Sequence, residues 1–544
     1  MSASTVALSP GAQVFAIAEL CSLICDSDHF GPGDLKTISN LALVSHSISE
    51  VALDALWSNI NGVDRLVRLL PRDACGIFVG SGPDDEVSHI PPPNQYRAWH
   101  YRLKRPLTEA DFSTFDKYAS RIRVLSLGPL SWASNAVYKR GGELLFDIKQ
   151  LRNPILPRLK TFYWTPDTTD GSLGGYFLLD GQLELLSLCP RSKIFPISPT
   201  AAPLQETAMV RAQRAFTQPM LTWLPNIPQL SISDINIPGR AHSSLPALSG
   251  GGGERLTNLQ WLYCDLKVEP QFISDLSRLP HLQQLILFHV SPGPFGLSQG
   301  GFPSLETLKI NSTLSSIVEL LGNISSTNLH SVSLNVGDGQ TWDRPRIFWD
   351  ALLPNHIPAR LATLTSFDFT LGSLAVSSLA PLYACRALER LQISASKIAC
   401  TDADIRQMAD AWPALKRLVL EVGSHSEAQM PTLYGLWPLA TNCPYLELLE
   451  LQLDARVDAP FDPERAGGGG GERLPSTPAS VPEELRFIPI RSSCGDPAIV
   501  AAFLHVAFPR LHRDSLNPRC GRGDQSGSWW HVGARLALTT LVPK

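Results

Sequence analysis

The stretch CRALERLQISASKIACTDADIRQMADAWPALKRLVLEV, Cys385 to Val422, holds one phrase twice: Leu388-x-x-Leu391-x-Ile393 and Leu415-x-x-Leu418-x-Leu420. Between the copies Ile405, Met408, Ala409 and Trp412 fall at helical spacing. Thr401 followed by Asp404 has the form of a capping box, with Asp in place of the usual Glu or Gln. The stretch therefore reads as strand, helix, strand. A unit this short cannot bury both of its apolar edges alone and must stack on copies of itself.

Copies are present. Leu/Ile-x-x-apolar-x-apolar begins at Ile122, Leu159, Leu183, Ile227, Leu259, Leu282, Leu305, Leu329, Leu364, Leu388, Leu415 and Leu446, with a further candidate at Leu485. The intervals are 23, 23 and 24 from Leu259 to Leu329, and 24, 27 and 31 from Leu364 to Leu446. That spacing resembles leucine-rich repeats, and gaps of 35 and more imply loop insertions. The Asn or Cys of that family, three residues after the second strand leucine, is replaced by Val290, Thr313, Gly337 and Asp454. The expected fold is α/β, an irregular leucine-rich-repeat solenoid with parallel strands on its concave face and helices outside.

Composition narrows the function. The 544 residues carry a formal net charge of −4, so no overall basic field points to nucleic acid or an anionic membrane. The ten cysteines show no CxxC and no metal-ligand spacing, and Cys21 and Cys25 read as buried helical thiols. Reduced thiols suit a cytoplasmic or nuclear protein. The N-terminus lacks a basic n-region, and the apolar run near Ala498–Phe508 is too short to span a bilayer. The sequon at Asn311 and the tripeptide Arg522-Gly523-Asp524 read as accidental. Neither HExxH nor GxSxG occurs, and His281 and His289 read as solvent-facing residues beside one strand. No catalytic residue, metal site or cofactor is expected, and the chain is not expected to be an enzyme.

In order along the chain, residues 1–11 read as a flexible lead and residues 12–60 as a helical module. Val14, Ile17, Leu20, Leu23 and Ile24 make one stripe. Leu35, Ile38, Leu41, Ala42, Val44 and Ile48 make a second, and Ala52, Leu53, Leu56 and Trp57 a third. Three short helices bury little surface, so a partner would be needed to cover an apolar face. The module resembles a fungal F-box: Ile17-Ala18-Glu19-Leu20, Leu41-Ala42-Leu43-Val44-Ser45 and Ala52-Leu53-Asp54-Ala55-Leu56-Trp57 carry the likeness. Ala18 stands where that family has proline, and the break from Ser27 to Gly33 is longer than usual. The resemblance implies docking on a Skp-type adaptor, with Ile17, Leu20, Val44, Leu56 and Trp57 as the contacts. The alternative is a helical cap on the repeat array.

Residues 61–118 read as a linker with cap helices. Its cluster from Arg97 to Arg105 mixes cations with aromatics and reads as a structural junction rather than a single-strand nucleic-acid grip. Arg105 to Leu127 resembles the segment joining F-box to repeats, with Phe112, Phe115 and Tyr118 buried and Ile122-x-x-Leu125-x-Leu127 as first strand. Residues 119–495 are the repeats, with helices at Phe272–Leu279, Leu314–Leu321, Leu374–Leu382 and Leu433–Ala440. Flexible insertions are expected near 190–214, 241–255 and 460–482. The last two hold the glycine runs Gly250–Gly253 and Gly467–Gly471, which lack the phosphate-loop pattern. Residues 496–544 form a capping segment, through Val500, Phe503, Trp529, Trp530, Val532, Leu536 and Leu538, with Arg510–Gly527 disordered between.

The resemblance as a whole implies a substrate-recognition subunit of a Skp–cullin–F-box ubiquitin ligase, binding its adaptor by the F-box and an unknown target protein by the repeats. The alternative is a non-catalytic leucine-rich-repeat scaffold. Neither nucleic acid nor membrane is an expected partner. Strand alternation exposes one residue per repeat in the column Ser126, Tyr163, Ser187, Ser231, Tyr263, Ile286, Lys309, Ser333, Asp368, Gln392, Val419 and Glu450. Tyr163, Trp261, Tyr263 and Phe288 are the expected aromatic contacts with the target, tuned by Lys309, Asp368, Arg390 and Glu450. The competing expectation is that insertions cover these rings and make them core.

Overall fold

The computed structural model describes residues 35–44, 46–79, 86–87, 99–127, 141–164, 174–179, 182–188, 226–232, 256–297, 300–336, 364–422, 429–456, 486–489, 492–509, 511 and 526–539. Ile17, Leu20, Cys21, Cys25, both glycine runs, Pro190–Arg214 and Leu485 lie outside them. The chain forms two compact units, residues 1–266 and 267–544.

The first unit opens with α1 (Leu35–Leu41) and α2 (His46–Ser58). Ile38, Ile48 and Ala52 form the core of this pair, with Leu41, Ala42, Val51, Ala55 and Leu56 packed around them. The second stripe is not one continuous helix: the chain turns over 42–44, leaving Leu43 85% and Val44 65% exposed. α2 runs directly into β1 (Asn59–Asn61). β1 pairs in parallel with β2 (Val124–Leu127), so the ladder begins one strand before the first leucine phrase. β3 (Thr161–Trp164), β4 (Leu185–Leu188), β5 (Gln229–Ile232) and β6 (Trp261–Val268) follow, each parallel to the last. Their inward residues Leu125, Phe162, Leu186, Leu230 and Leu262 are all fully buried, as alternation requires.

Between β1 and β2 lie a small antiparallel sheet (Cys75–Val79, Glu86–Val87, Trp99–Leu103) and α3 (Ser113–Ala119). α4 (Gly141–Leu151) connects β2 to β3. The cations of the 97–105 cluster are used within the fold where they are described. The Arg102 guanidinium lies 5.9 Å from the Phe78 ring centroid. Lys104 donates to the Arg72 carbonyl at 2.9 Å, and Arg105 bridges Asp73 and Asp111 at 2.7 and 2.8 Å. Asp111 also closes a capping box with Thr108, and Arg105 holds its carboxyl well below the usual range.

The second unit continues the pattern through β7 (Gln284–Val290), β8 (Thr307–Ser312), β9 (Ser331–Val336), β10 (Ser366–Ala375), β11 (Arg390–Ala399), β12 (Arg417–Val422), β13 (Leu448–Leu451) and β14 (Arg486–Pro489), all parallel. The helices expected at Phe272–Leu279 and Leu314–Leu321 are present with identifiable termini. α5 (Pro270–Ser277) starts with proline, whose missing N–H costs nothing there. α6 (Leu314–Asn323) is capped by the Thr313 hydroxyl. α7 (Asp402–Ala411) has the reciprocal Thr401–Asp404 box, at 2.8 Å from the Thr401 N–H and 3.3 Å from the Asp404 N–H. The segment 376–384 is 3-10 instead, with Pro381 inside it unable to donate. A short 3-10 turn leads into α8 (Trp437–Asn442). α9 (Pro497–Ala507) and α10 (Ser526–Thr539) close the unit, so the latter begins inside the span expected to be disordered. Trp529, Val532 and Leu536 are buried, as a terminal cap requires.

Turns before the strands carry ties between successive repeats. Before a strand the chain makes an i to i+3 turn, in which Leu388, Leu415 and Leu446 donate to the carbonyls of Cys385, Trp412 and Cys443 at 3.1, 3.1 and 3.2 Å. The side chain at that earlier position reaches back into the preceding repeat. Trp412 donates its indole N–H to the Leu382 carbonyl at 3.0 Å. The Cys443 thiol lies 3.6 Å from the Trp412 carbonyl and 3.9 Å from that of Ala409. Carbonyls left over at a helix C-terminus thus find partners in the next repeat.

No disulfide links the described cysteines. Burial pushes Cys75, Cys385 and Cys494 up to about 11 and Cys443 to about 12, and raises Cys400 as well. Among the described residues no His/Cys/Asp/Glu group could hold a metal, and no helix is long and apolar enough to cross a membrane.

Candidate interaction surfaces

The register aligns the expected column within each unit. In the first, Ser126, Tyr163, Ser187, Ser231 and Tyr263 pair in succession from β2 to β6. Tyr163 is 45% exposed and Tyr263 half-buried. Three strand steps separate the two tyrosines, about 14 Å, with small serines as the floor between them. Trp261, two residues before Tyr263 on the same face, stacks on it with ring centroids 6.3 Å apart and planes at 28°. A large ring with a polar tip on a half-exposed strand face suits protein recognition.

In the second unit Ile286, Lys309, Ser333, Asp368, Gln392, Val419 and Glu450 pair in succession. Phe288 belongs to this unit, so the expected aromatic patch is divided between the two. The Lys309 ammonium lies 5.2 Å from the Phe288 ring centroid, a cation–π contact. Asp368 is half-buried, and burial pushes its carboxyl up while Lys309 and Arg390 pull it down. Arg390 and Gln392 are exposed.

Two members of the column depart from expectation. Val419 and Glu450 are buried, at 7% and 5% exposure. β12 and β13 have consecutive buried residues, Leu418–Leu420 and Leu449–Leu451, so both faces are covered there. Glu450 is therefore not an exposed specificity residue. What tracking one position per strand missed is the neighbouring line, where Arg417 and Arg486 join Arg390.

At the N-terminal end, Leu43 and Val44 are exposed apolar residues in the α1–α2 turn, and Leu35, at the start of α1, is 42% exposed. Leu56 packs against the α1–α2 core. Trp57 is half-buried and lies on Tyr118 of α3, centroids 4.5 Å apart. The Arg121 guanidinium pairs with Glu50 and Asp54 of α2 and draws the Glu50 carboxyl below its ordinary range. The far end of α2 is thus fastened to the rest of the first unit, while the turn stays open to solvent.

Because Trp261 and Tyr263 are only half-buried on a strand face, Trp261→Ala with Tyr263→Ala should cost no more than roughly 2–3 kcal/mol per ring, less than truncating a fully buried ring. Scanning calorimetry checks this. A fall as large as that of a core truncation would make the rings structural and remove them from the recognition surface.

No protein-family model matches the sequence, and no curated protein matches it. Among solved structures, a chain in the crystal structure of the yeast Rad7–Elc1 complex aligns with it at 14% identity, over 76% of this chain and 92% of that one, with a TM-score of 0.33.

Proposed function

We propose that the chain is a non-enzymatic substrate-recognition subunit of a Skp–cullin–F-box ubiquitin ligase. The α1–α2 pair, with Ile17 and Leu20 before it, engages a Skp-type adaptor, and the exposed strand faces hold a target protein. The catalytic contribution is proximity: a bound target's lysines face the ligase at high effective concentration, and no bond is made or broken by this chain. The observation that carries the reading is the α1–α2 turn. A pair of helices with a three-residue core leaves Leu35, Leu43 and Val44 in solvent, which a partner's apolar surface would cover. Its place of action on this reading is the cytoplasm or nucleus.

Co-purification with a Skp-type adaptor tests it. The full chain should retain the adaptor, and Leu43→Asp with Val44→Asp should lose it while melting as the parent does, since both side chains are already in water. Trp57→Ala should behave differently. It removes the Tyr118 contact, costing roughly 2–3 kcal/mol for a half-buried ring, so adaptor retention and stability should fall together. Failure of the full chain to retain any adaptor would overturn the reading.

One observation favours a second reading, a repeat scaffold without a ligase role. α2 continues directly into β1 and is clasped by Arg121 and Tyr118, as a cap on the array would be. The same co-purification separates the two.

A further inference from the structure

The parallel register sets three arginines in one line. Arg390 is opposite Arg417 across β11 and β12, Arg417 opposite Leu448, and Leu448 opposite Arg486 across β13 and β14. All three arginines are exposed. Followed back through the second unit, the line continues with Ser366, Ser331, Thr307 and Gln284, so it holds three cations and no acid. Like charges directly opposite on neighbouring strands repel and are destabilising. Arg417 finds partial relief in Glu447 at 3.8 Å, both half in water. Arg390 and Arg486 make no ion pair among the described residues. Among the described residues, the positive charge along β11 to β14 is offset only in part, by Glu447 beside Arg417 and by Asp368 near Arg390.

We propose that this line docks an acidic, extended peptide segment of the target, lying across β11 to β14 with carboxylates at alternate positions. The inference rests on the reading that the exposed strand face takes a target, and adds the target's chemistry. Neighbouring strands are about 4.8 Å apart, so Arg390 and Arg486 stand about 14 Å apart. An extended peptide puts residues i, i+2 and i+4 on one side, spanning about 13 Å. Carboxylates at i and i+4 then meet Arg390 and Arg486, while i+2 sits over Arg417. The guanidinium fork matches a carboxylate with two parallel hydrogen bonds, which a lone ammonium cannot do. A nucleic-acid strand fits less well. It needs a longer cationic track with stacking rings.

Fluorescence polarisation with the full chain tests this, using a fluorescein-labelled Gly-Glu-Ser-Glu-Ser-Glu-Gly peptide and its glutamine counterpart. The glutamate peptide should bind and the glutamine peptide should not, with affinity falling as salt is raised. Arg390→Gln and Arg486→Gln should each weaken binding roughly tenfold, the scale of one charge-assisted hydrogen-bond pair. Their Tm should match or exceed the parent's, because repulsion is relieved. Arg406→Gln, an exposed cation on α7, should change nothing. Equal binding of the two peptides, or unchanged binding by the double variant Arg390→Gln with Arg486→Gln, overturns the proposal. So does tighter binding of a single-stranded oligonucleotide that the same variants abolish. No adaptor is present in this assay, so its failure leaves the adaptor reading standing, and loss of adaptor capture leaves this one standing.

Discussion

Trp412→Ala is expected to be among the most destabilising single truncations in the second unit. The ring is fully buried, meets Tyr383 edge-on at 5.4 Å, and its indole N–H donates to the Leu382 carbonyl. Emptying that volume costs roughly 3–5 kcal/mol, and leaving the carbonyl without a donor adds about 1 kcal/mol or more. Trp412→Phe separates the two effects. It keeps most of the apolar contact, so its smaller deficit reports mainly the hydrogen bond. Urea denaturation followed by circular dichroism measures both. A deficit under about 1 kcal/mol for the alanine variant would mean that the tie between repeats is incidental to stability.

Leu391→Asp should be at least as severe, by another route. Leu391 is 1% exposed and lies in register between Phe367 and Leu418. A carboxylate there loses its water without gaining a partner, and a cost above roughly 4 kcal/mol is expected. The deficit should depend on pH with a defined sign. Burial raises the introduced carboxyl's folded-state pKa above its unfolded value, so the folded state binds the proton more tightly. Relative stability is therefore fully present below the unfolded value and is lost as pH rises through the folded one. Leu391→Asn, which does not titrate, should show a deficit independent of pH over the same window. Parallel melts of the two variants from pH 4 to pH 8 check this, and identical profiles would place the side chain in water.

The ladder was legible because its signal is local and periodic. Leu391 and Ile393 face inward, Arg390 and Gln392 outward, and the pairings of the column described above follow the register that counting from the leucine phrase requires. Thr401 and Asp404 announced the start of α7 for the same reason, since capping chemistry acts over three residues. β1 was hidden because Asn59-Ile60-Asn61 is too short to show a pattern and offers one buried residue. The spacing of Val44 fits a helix, yet the chain turns after Leu41, so its side chain does not share that face. Glu450 could not be recognised as buried, because what covers both faces of β13 is a long-range property. The arginine line needed the alignment of four strands at once, and Arg486 enters only by way of Leu448.

The buried thiols make the repeats individually observable. Cysteine reacts as the thiolate, and only when a reagent reaches it. Cys385, Cys400 and Cys443 meet neither condition while their surroundings are closed, so alkylation at each one reports how often its own segment opens. Pulse labelling with peptide mass spectrometry would then order these segments by opening free energy without any introduced probe. The same logic governs oxidative ageing: peroxide should spare closed molecules and mark those that have already frayed, so sulfinic and sulfonic acids at these positions would record past opening rather than cause it.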